Sequence, residues 1–202
     1  MRGFRKWLWI VWVATALVWA SAAARAQDKL PPEQMLPTVR QPTLRKINAE
    51  KDALVLERIE LHRAKLPEQY RKRNNFAWAC AKINGLDKVE YFAHSGIQGL
   101  DDFSKETARE LDGISLRPEK GHFKALCVNQ NDVVDGNDCW LRVVDTEYKI
   151  LEDMAARLPD RSVKGRVKLY TDLPPCASCW NVMKQFMAEY TNVNMSVLYR
   201  SK

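Results

Sequence analysis

Two cysteines, Cys176 and Cys179, stand three residues apart behind a double proline in "VKLYTDLPPCASCWNVMKQF". The apolar positions that follow, Val182, Met183, Phe186, Met187 and Tyr190, repeat at helical spacing, so the pair opens a helix. Unpaired backbone N–H groups and the helix dipole favour thiolate over thiol at such a start. Two thiolates at this spacing can face one zinc ion. They can equally be buried thiols, a disulfide or a redox pair. A hydrolytic zinc centre needs a third protein ligand and an open position for water. A second helix start, "VVDTEYKIL", offers the missing parts: Asp145 carries a hard oxygen donor, and Glu147 follows two residues on. Zinc would acidify the water, and the glutamate would shuttle its proton. The structural alternatives are a plain helix cap for Asp145 and a first-turn acid facing the dipole for Glu147.

Both helix starts need a scaffold that aims them at one point. "GRVKLYT" (165–171) and "VNMSVLY" (193–199) read as strands on either side of the cysteine helix (176–190), and "DTEYKILEDMAARL" (145–158) as the preceding helix. A crossover helix between successive strands implies parallel pairing. The helix N-termini then gather at the edge where open α/β sheets take their ligands. Upstream, "FAWACAKI" (76–83) and "KVEYFAHSGI" (88–97) flank Asn84 and Gly85, which predicts a hairpin over 76–94. Residues 43–66 lack proline and glycine and repeat Leu44, Ile47, Leu54 and Leu61 near one face, which Val55 and Ile59 widen; this predicts one long helix. "LDDFSKETARELDGI" reads as a loop with a short helix, and "HFKALCVN" with "CWLRVV" as a second hairpin across an Asn/Asp/Gly-rich turn. The fold class expected is α/β, with a central mixed β-sheet and flanking helices.

The first 26 residues have another purpose. Arg2, Arg5 and Lys6 precede an apolar run from Trp7 to Ala20, and Ala24 and Ala26 are small residues before a cut after Ala26. This is the layout of a secretory signal peptide; an uncleaved membrane anchor is the alternative. The membrane then enters only through this targeting segment, and the mature chain is expected to be exported, periplasmic or secreted. Residues 27–41 read as a polar, proline-punctuated linker, and 42–202 as the domain. Removing the four basic residues of 1–26 lowers the formal charge from +7 to +3, which permits a nucleic-acid partner without demanding one. An exported chain can form disulfides, and Cys127 and Cys139 could staple the turn between them. Cys80, in "FAWAC", reads as a small buried hydrophobe.

The sequence resembles the cytidine-deaminase-like zinc deaminases. Their signature is a ligand-x-Glu step on one helix and Pro-Cys-x-x-Cys on the next, here "DTE" at 145–147 and "PCASC" at 175–179. A closer likeness is to the deaminase domains at the ends of bacterial polymorphic toxin proteins, which share the apolar strand pair, an "AHSG"-like step and a final helix like "CWNVMKQF". The likeness runs over roughly 74–202. The family's usual first ligand is histidine or cysteine; this chain has Asp145. The resemblance implies a cytidine-deaminase-like fold. It implies Zn2+ held by Asp145, Cys176 and Cys179, with Glu147 as proton shuttle. The implied reaction is hydrolysis at C4 of cytosine to give uracil and ammonia, with Glu147 protonating N3 and then the leaving amine. The implied substrate is single-stranded DNA or RNA, with free cytidine or another amino base as further options. An interbacterial toxin delivered into a target cell would need a cognate immunity protein in its producer.

Other residues have both a functional and a structural reading. His94 ends an apolar strand just before Ser95; they read as substrate contacts, with His94 also a substitute zinc ligand, or as ordinary structural residues. Phe92 and Trp180 could stack on a base or pack in the core. "QYRKRNN" (69–75) and "RSVKGRVK" (161–168) are basic runs, either solvated or in contact with phosphate. Two rival functions keep the cysteines. A periplasmic thiol-disulfide oxidoreductase would also put Cys-x-x-Cys at a helix start, but no proline follows Pro175 to form its partner loop. A secreted zinc-stabilised binding domain would need no Glu147.

Overall fold

The computed structural model describes residues 40–200. The expected targeting segment and most of the expected linker lie outside the described residues. Within them the chain forms seven strands and five helices. The strands are β1 (Thr43–Lys46), β2 (Phe76–Ile83), β3 (Glu90–His94), β4 (Cys127–Val128), β5 (Trp140–Leu141), β6 (Gly165–Thr171) and β7 (Val193–Tyr199). The helices are α1 (Ala53–Ala64), α2 (Glu68–Arg71), α3 (Lys105–Glu110), α4 (Thr146–Ala155) and α5 (Ala177–Glu189). No helix among the described residues is long and apolar enough to cross a membrane.

Five strands make one mixed sheet in the order β1-β7-β6-β2-β3. The β2–β3 hairpin is antiparallel and turns at Gly85, whose φ of +80° suits a residue without a side chain. β6 pairs antiparallel with β2 and parallel with β7, and α5 provides the crossover between β6 and β7. The close start of β6 against β2 also needs glycine: a Cβ on Gly165 would meet the Lys82 carbonyl at 2.3 Å. This is the α/β architecture expected, and the apolar runs of β2 and β6 are buried as central strands should be.

The sheet separates two cores. Tyr91, Leu169 and Val197 pack with α4 and α5, through Ile150, Leu151, Val182 and Phe186. On the opposite face Phe76, Trp78, Phe92 and Tyr170 pack against Ile59 of α1 and Leu66. α4 is covered on more than its sheet side. Its Glu152 accepts the backbone N–H groups of His122 and Phe123, at 2.7 and 2.8 Å, and Asp153 accepts the Ser115 hydroxyl at 2.7 Å. The 95–141 elaboration therefore wraps the helix that carries Asp145 and Glu147.

The long helix expected over 43–66 is a correction. Thr43–Lys46 is an edge strand that pairs parallel with β7, and the helix begins only at Ala53. Asp52, before that helix, receives both Arg45 guanidinium nitrogens at 2.7 Å and the Asn48 N–H at 2.9 Å, which fixes the bend between strand and helix. The apolar stripe proposed for the helix is also shifted: Leu54 and Leu61 are 79% and 52% exposed, while Ile59 and His62 face the core. The second hairpin is present as the short β4–β5 pair, closed by a Cys127–Cys139 disulfide.

Candidate metal centre

Asp145 and Cys176 are the N-cap residues of α4 and α5, each with extended backbone. β6 ends at Thr171 between the two helix starts, so both N-termini open at the same sheet edge. An aspartate at an N-cap ordinarily bonds the first-turn N–H groups. Asp145 makes no such bond. Its Oδ2 instead accepts from both thiols, at 3.3 Å from Cys176 Sγ and 3.3 Å from Cys179 Sγ, and the two sulfurs are 3.4 Å apart. A tetrahedral zinc with bonds of about 2.0 Å to oxygen and 2.3 Å to sulfur needs its donors roughly 3.5–3.8 Å apart. Two soft thiols and one carboxylate at these separations fit such an ion.

Glu147 lies one step further in. It is 2% exposed, and its Oε2 is 3.5 Å from Cys179 Sγ. Burial, and then the charge of Asp145, push its carboxyl above the usual carboxylate range. The hydrogen bond with Cys176, together with burial, pushes the Cys179 thiol well up. A divalent cation among these groups would reverse both shifts, because it favours carboxylate and thiolate.

The carboxylate of Glu147 is aimed by neutral side chains that carry no motif. Thr146 Oγ1 donates to Glu147 Oε2 at 2.8 Å. Asn75, just before β2, donates through Nδ2 to Thr146 Oγ1 at 2.8 Å and Thr171 Oγ1 at 2.9 Å. Its Oδ1 accepts the Leu173 N–H at 3.1 Å. Because Asn75 fills an acceptor site on the Thr146 hydroxyl, that proton is available to Glu147, while the Thr171 hydroxyl donates back to Asn75 Oδ1 at 3.3 Å. The buried Lys149 ammonium donates to the His94 and Ile97 carbonyls, both at 2.7 Å, and so ties the turn after β3 to α4.

The disulfide loop borders the centre. Asp132 Oδ1 accepts the Ala177 N–H at 2.7 Å, at the first turn of α5. Arg142 donates to the carbonyls of Val128 and Asn129, stacks on Trp140 at 3.8 Å, and its Nη1 approaches Asp145 Oδ1 to 3.9 Å.

Residues 59–201 match the model of a toxin-deaminase family, described as the BURPS668_1122 family of deaminases. The chain belongs to this family. No curated protein and no solved structure matches it. Membership makes the chain a deaminase-like toxin in general terms, and the candidate site of this toxin-deaminase is the Asp145, Cys176 and Cys179 cluster with Glu147 beside it.

The other expected site residues of the toxin-deaminase divide between the two faces of the sheet. Strand alternation turns Phe92 and His94 to the sheet face away from α4, where Phe92 packs against His62 in the second core. His94 is fully buried, with Nε2 on the Arg73 carbonyl at 2.8 Å and Nδ1 accepting the Gly96 N–H at 3.2 Å. It is not among the residues whose donor atoms converge. Ser95 is bonded both ways to the Asn75 backbone, which makes it a support for the Glu147 network. Trp180 is half-buried against the first core beside the cysteines.

Proposed function

We propose that this toxin-deaminase hydrolyses the exocyclic amine of cytosine in single-stranded nucleic acid, yielding uracil and ammonia, with zinc as its metal. The observation that carries the reading is the convergence of three zinc-type donors beside a buried glutamate that the Thr146 hydroxyl orients. Zinc held by Asp145, Cys176 and Cys179 would supply an acidified water as nucleophile. Glu147 would take one proton from that water and place it on N3 of the base, then take the second from the hydroxyl added at C4 and place it on the amine, which leaves as ammonia as the C4 carbonyl forms. Its burial and the Thr146 hydroxyl bond fix the carboxylate beside the metal ligands, where a proton shuttle must stand. Backbone groups from Pro174 to Cys176 would contact the base, and chemistry at C4 calls for an unpaired nucleotide.

Export and delivery are part of the proposal. The N-terminal segment reads as a targeting signal, and the Cys127–Cys139 disulfide suits an oxidising compartment. A toxin of this kind requires an immunity protein in its producer. The thiol-disulfide alternative is disfavoured, because both sulfurs lie 3.3 Å from the Asp145 carboxylate, a neighbour that opposes a reactive thiolate. A zinc-stabilised binding domain has no use for a carboxylate as carefully held as Glu147.

The test is product analysis with the full chain and zinc on cytosine-containing single-stranded DNA, RNA and free cytidine, beside Glu147→Gln. Uracil from the parent alone supports the reading. Product only from adenine or guanine substrates changes the base. No product, with the metal bound, returns the binding domain.

A further inference from the structure

Away from the metal centre, the sheet face that α1 covers only in part carries a groove of about 1040 Å³. By strand register, Trp78 and Lys82 of β2 share this face with Arg166 and Lys168 of β6 and Ser196 of β7. Five of the described lining residues are cations, Arg40, Arg58, Lys82, Arg166 and Lys168, and none is acidic. The whole chain has 25 acidic residues against 32 basic ones, so an even scatter would have put nearly as many carboxylates here as cations. Arg58 is shared with Glu90, and Arg40 bonds Asn194 and the Thr191 carbonyl. Lys82, Arg166 and Lys168 form no ion pair with any described residue. Lys82 and Arg166 are direct cross-strand partners, and like charges in that position cost stability. The fold keeps repelling cations together, and Asp52, already paired with Arg45, acts on Lys168 only through space.

We propose that this groove docks the phosphodiester backbone of single-stranded nucleic acid. Arg166 and Lys168 are two residues apart on one strand, about 6.7 Å, the scale of one nucleotide step in an extended chain. Thr43 and Ser196, paired across β1 and β7, add hydroxyls that suit phosphate and sugar oxygens. Trp78 on the floor is 3% exposed, so it gives no stacking platform for a base and no open aromatic pocket for a protein anchor. The groove therefore reads charge and not sequence. Arg166 is five residues from Thr171 along β6, about 17 Å, and the groove and the metal centre lie on opposite faces of the sheet. It is an exosite that holds the polymer apart from the base being altered. The inference rests on the nucleic-acid reading of the substrate, but binding and deamination can fail separately.

The test is fluorescence anisotropy of the full chain with a labelled 20-nucleotide oligo-dT, which has no cytosine. In Lys82→Gln/Arg166→Gln/Lys168→Gln the affinity should fall at least ~10-fold at 0.1 M salt. The slope of log affinity against log salt should shrink by about 2, since each phosphate contact contributes about 0.7 for a single strand. Oligo-dA should behave alike. The charge-keeping Lys82→Arg/Arg166→Lys/Lys168→Arg protein should bind like the parent, which separates lost charge from lost fold. Equal affinity and slope in the Gln variant, or no binding by the parent, would overturn the proposal. So would tighter groove-dependent binding of polyglutamate, which would assign the surface to an acidic protein. A failed deamination assay would leave the binding result standing.

Discussion

Replacing Asn75 with alanine removes the side chain that organises the hydroxyls around Glu147. Its amide makes bonds of 2.8 and 2.9 Å to Thr146 and Thr171, and its Oδ1 receives Leu173 N at 3.1 Å. Each such bond has a net worth of about 1 kcal/mol. Both threonines are fully buried, so water cannot easily replace the lost partner. The expected cost is about 3 kcal/mol. At about 2–4 °C per kcal/mol for a domain of this size, the melting temperature should fall by about 6–12 °C, read by circular dichroism. With the Thr146 hydroxyl free to turn away, Glu147 loses its aim. The turnover rate should drop about 10–100-fold with little change in KM, because a small misplacement of a proton-transfer group is costly. A melting temperature within about 2 °C of the parent would refute the energetic reasoning. An unchanged turnover rate would refute the link to Glu147.

Asp52 and the disulfide give two further tests. The Arg45 hydrogen bonds hold the Asp52 carboxyl at about 2, down from 3.8. A folded value below the unfolded one contributes stability that is full above about pH 4 and lost as the pH falls to 2. Because Arg45 is half exposed, the contribution is about 1–2 kcal/mol after solvent screening. Urea unfolding of Asp52→Asn should show that gap from the parent at pH 6 and a much smaller one at pH 2; a gap independent of pH contradicts the assignment. The Cys127–Cys139 bond closes a loop with a sequence separation of 12, worth about 3 kcal/mol through loop closure. Cys127→Ser/Cys139→Ser should melt lower by about that amount and loosen the Asp132 cap on α5. Identical melts would contradict this.

The parts of the fold set by local pattern were legible in the sequence. The Asn84–Gly85 turn between two apolar runs marked the β2–β3 hairpin, and the 3.6-residue repeats marked α4 and α5. Motif spacing brought Asp145, Glu147, Cys176 and Cys179 together, because strand, helix and loop lengths fix which helix starts share an edge. β1 was not legible. Thr43–Lys46 is exposed along its length and is a strand only because β7, some 150 residues later, offers a partner; strand preference depends on such context. Asn75, Thr146 and Thr171 were missed for a similar reason. They are neutral, common in turns and caps, and acquire a role only when three separate segments meet. The opposite holds for Phe92 and His94. Strict alternation along β3 pairs them on one face and Tyr91 with Ala93 on the other, so that shared face was readable from the period of two.

The central claim is that Asp145, Cys176 and Cys179 form one metal site in which aspartate completes the set. Native mass spectrometry of the full chain, purified with zinc and dialysed against metal-free buffer, tests it directly. The account predicts one zinc per chain in the parent and in Glu147→Gln, and none in Asp145→Ala or Cys176→Ser. A parent without zinc, or a zinc retained equally by Asp145→Ala, would contradict it.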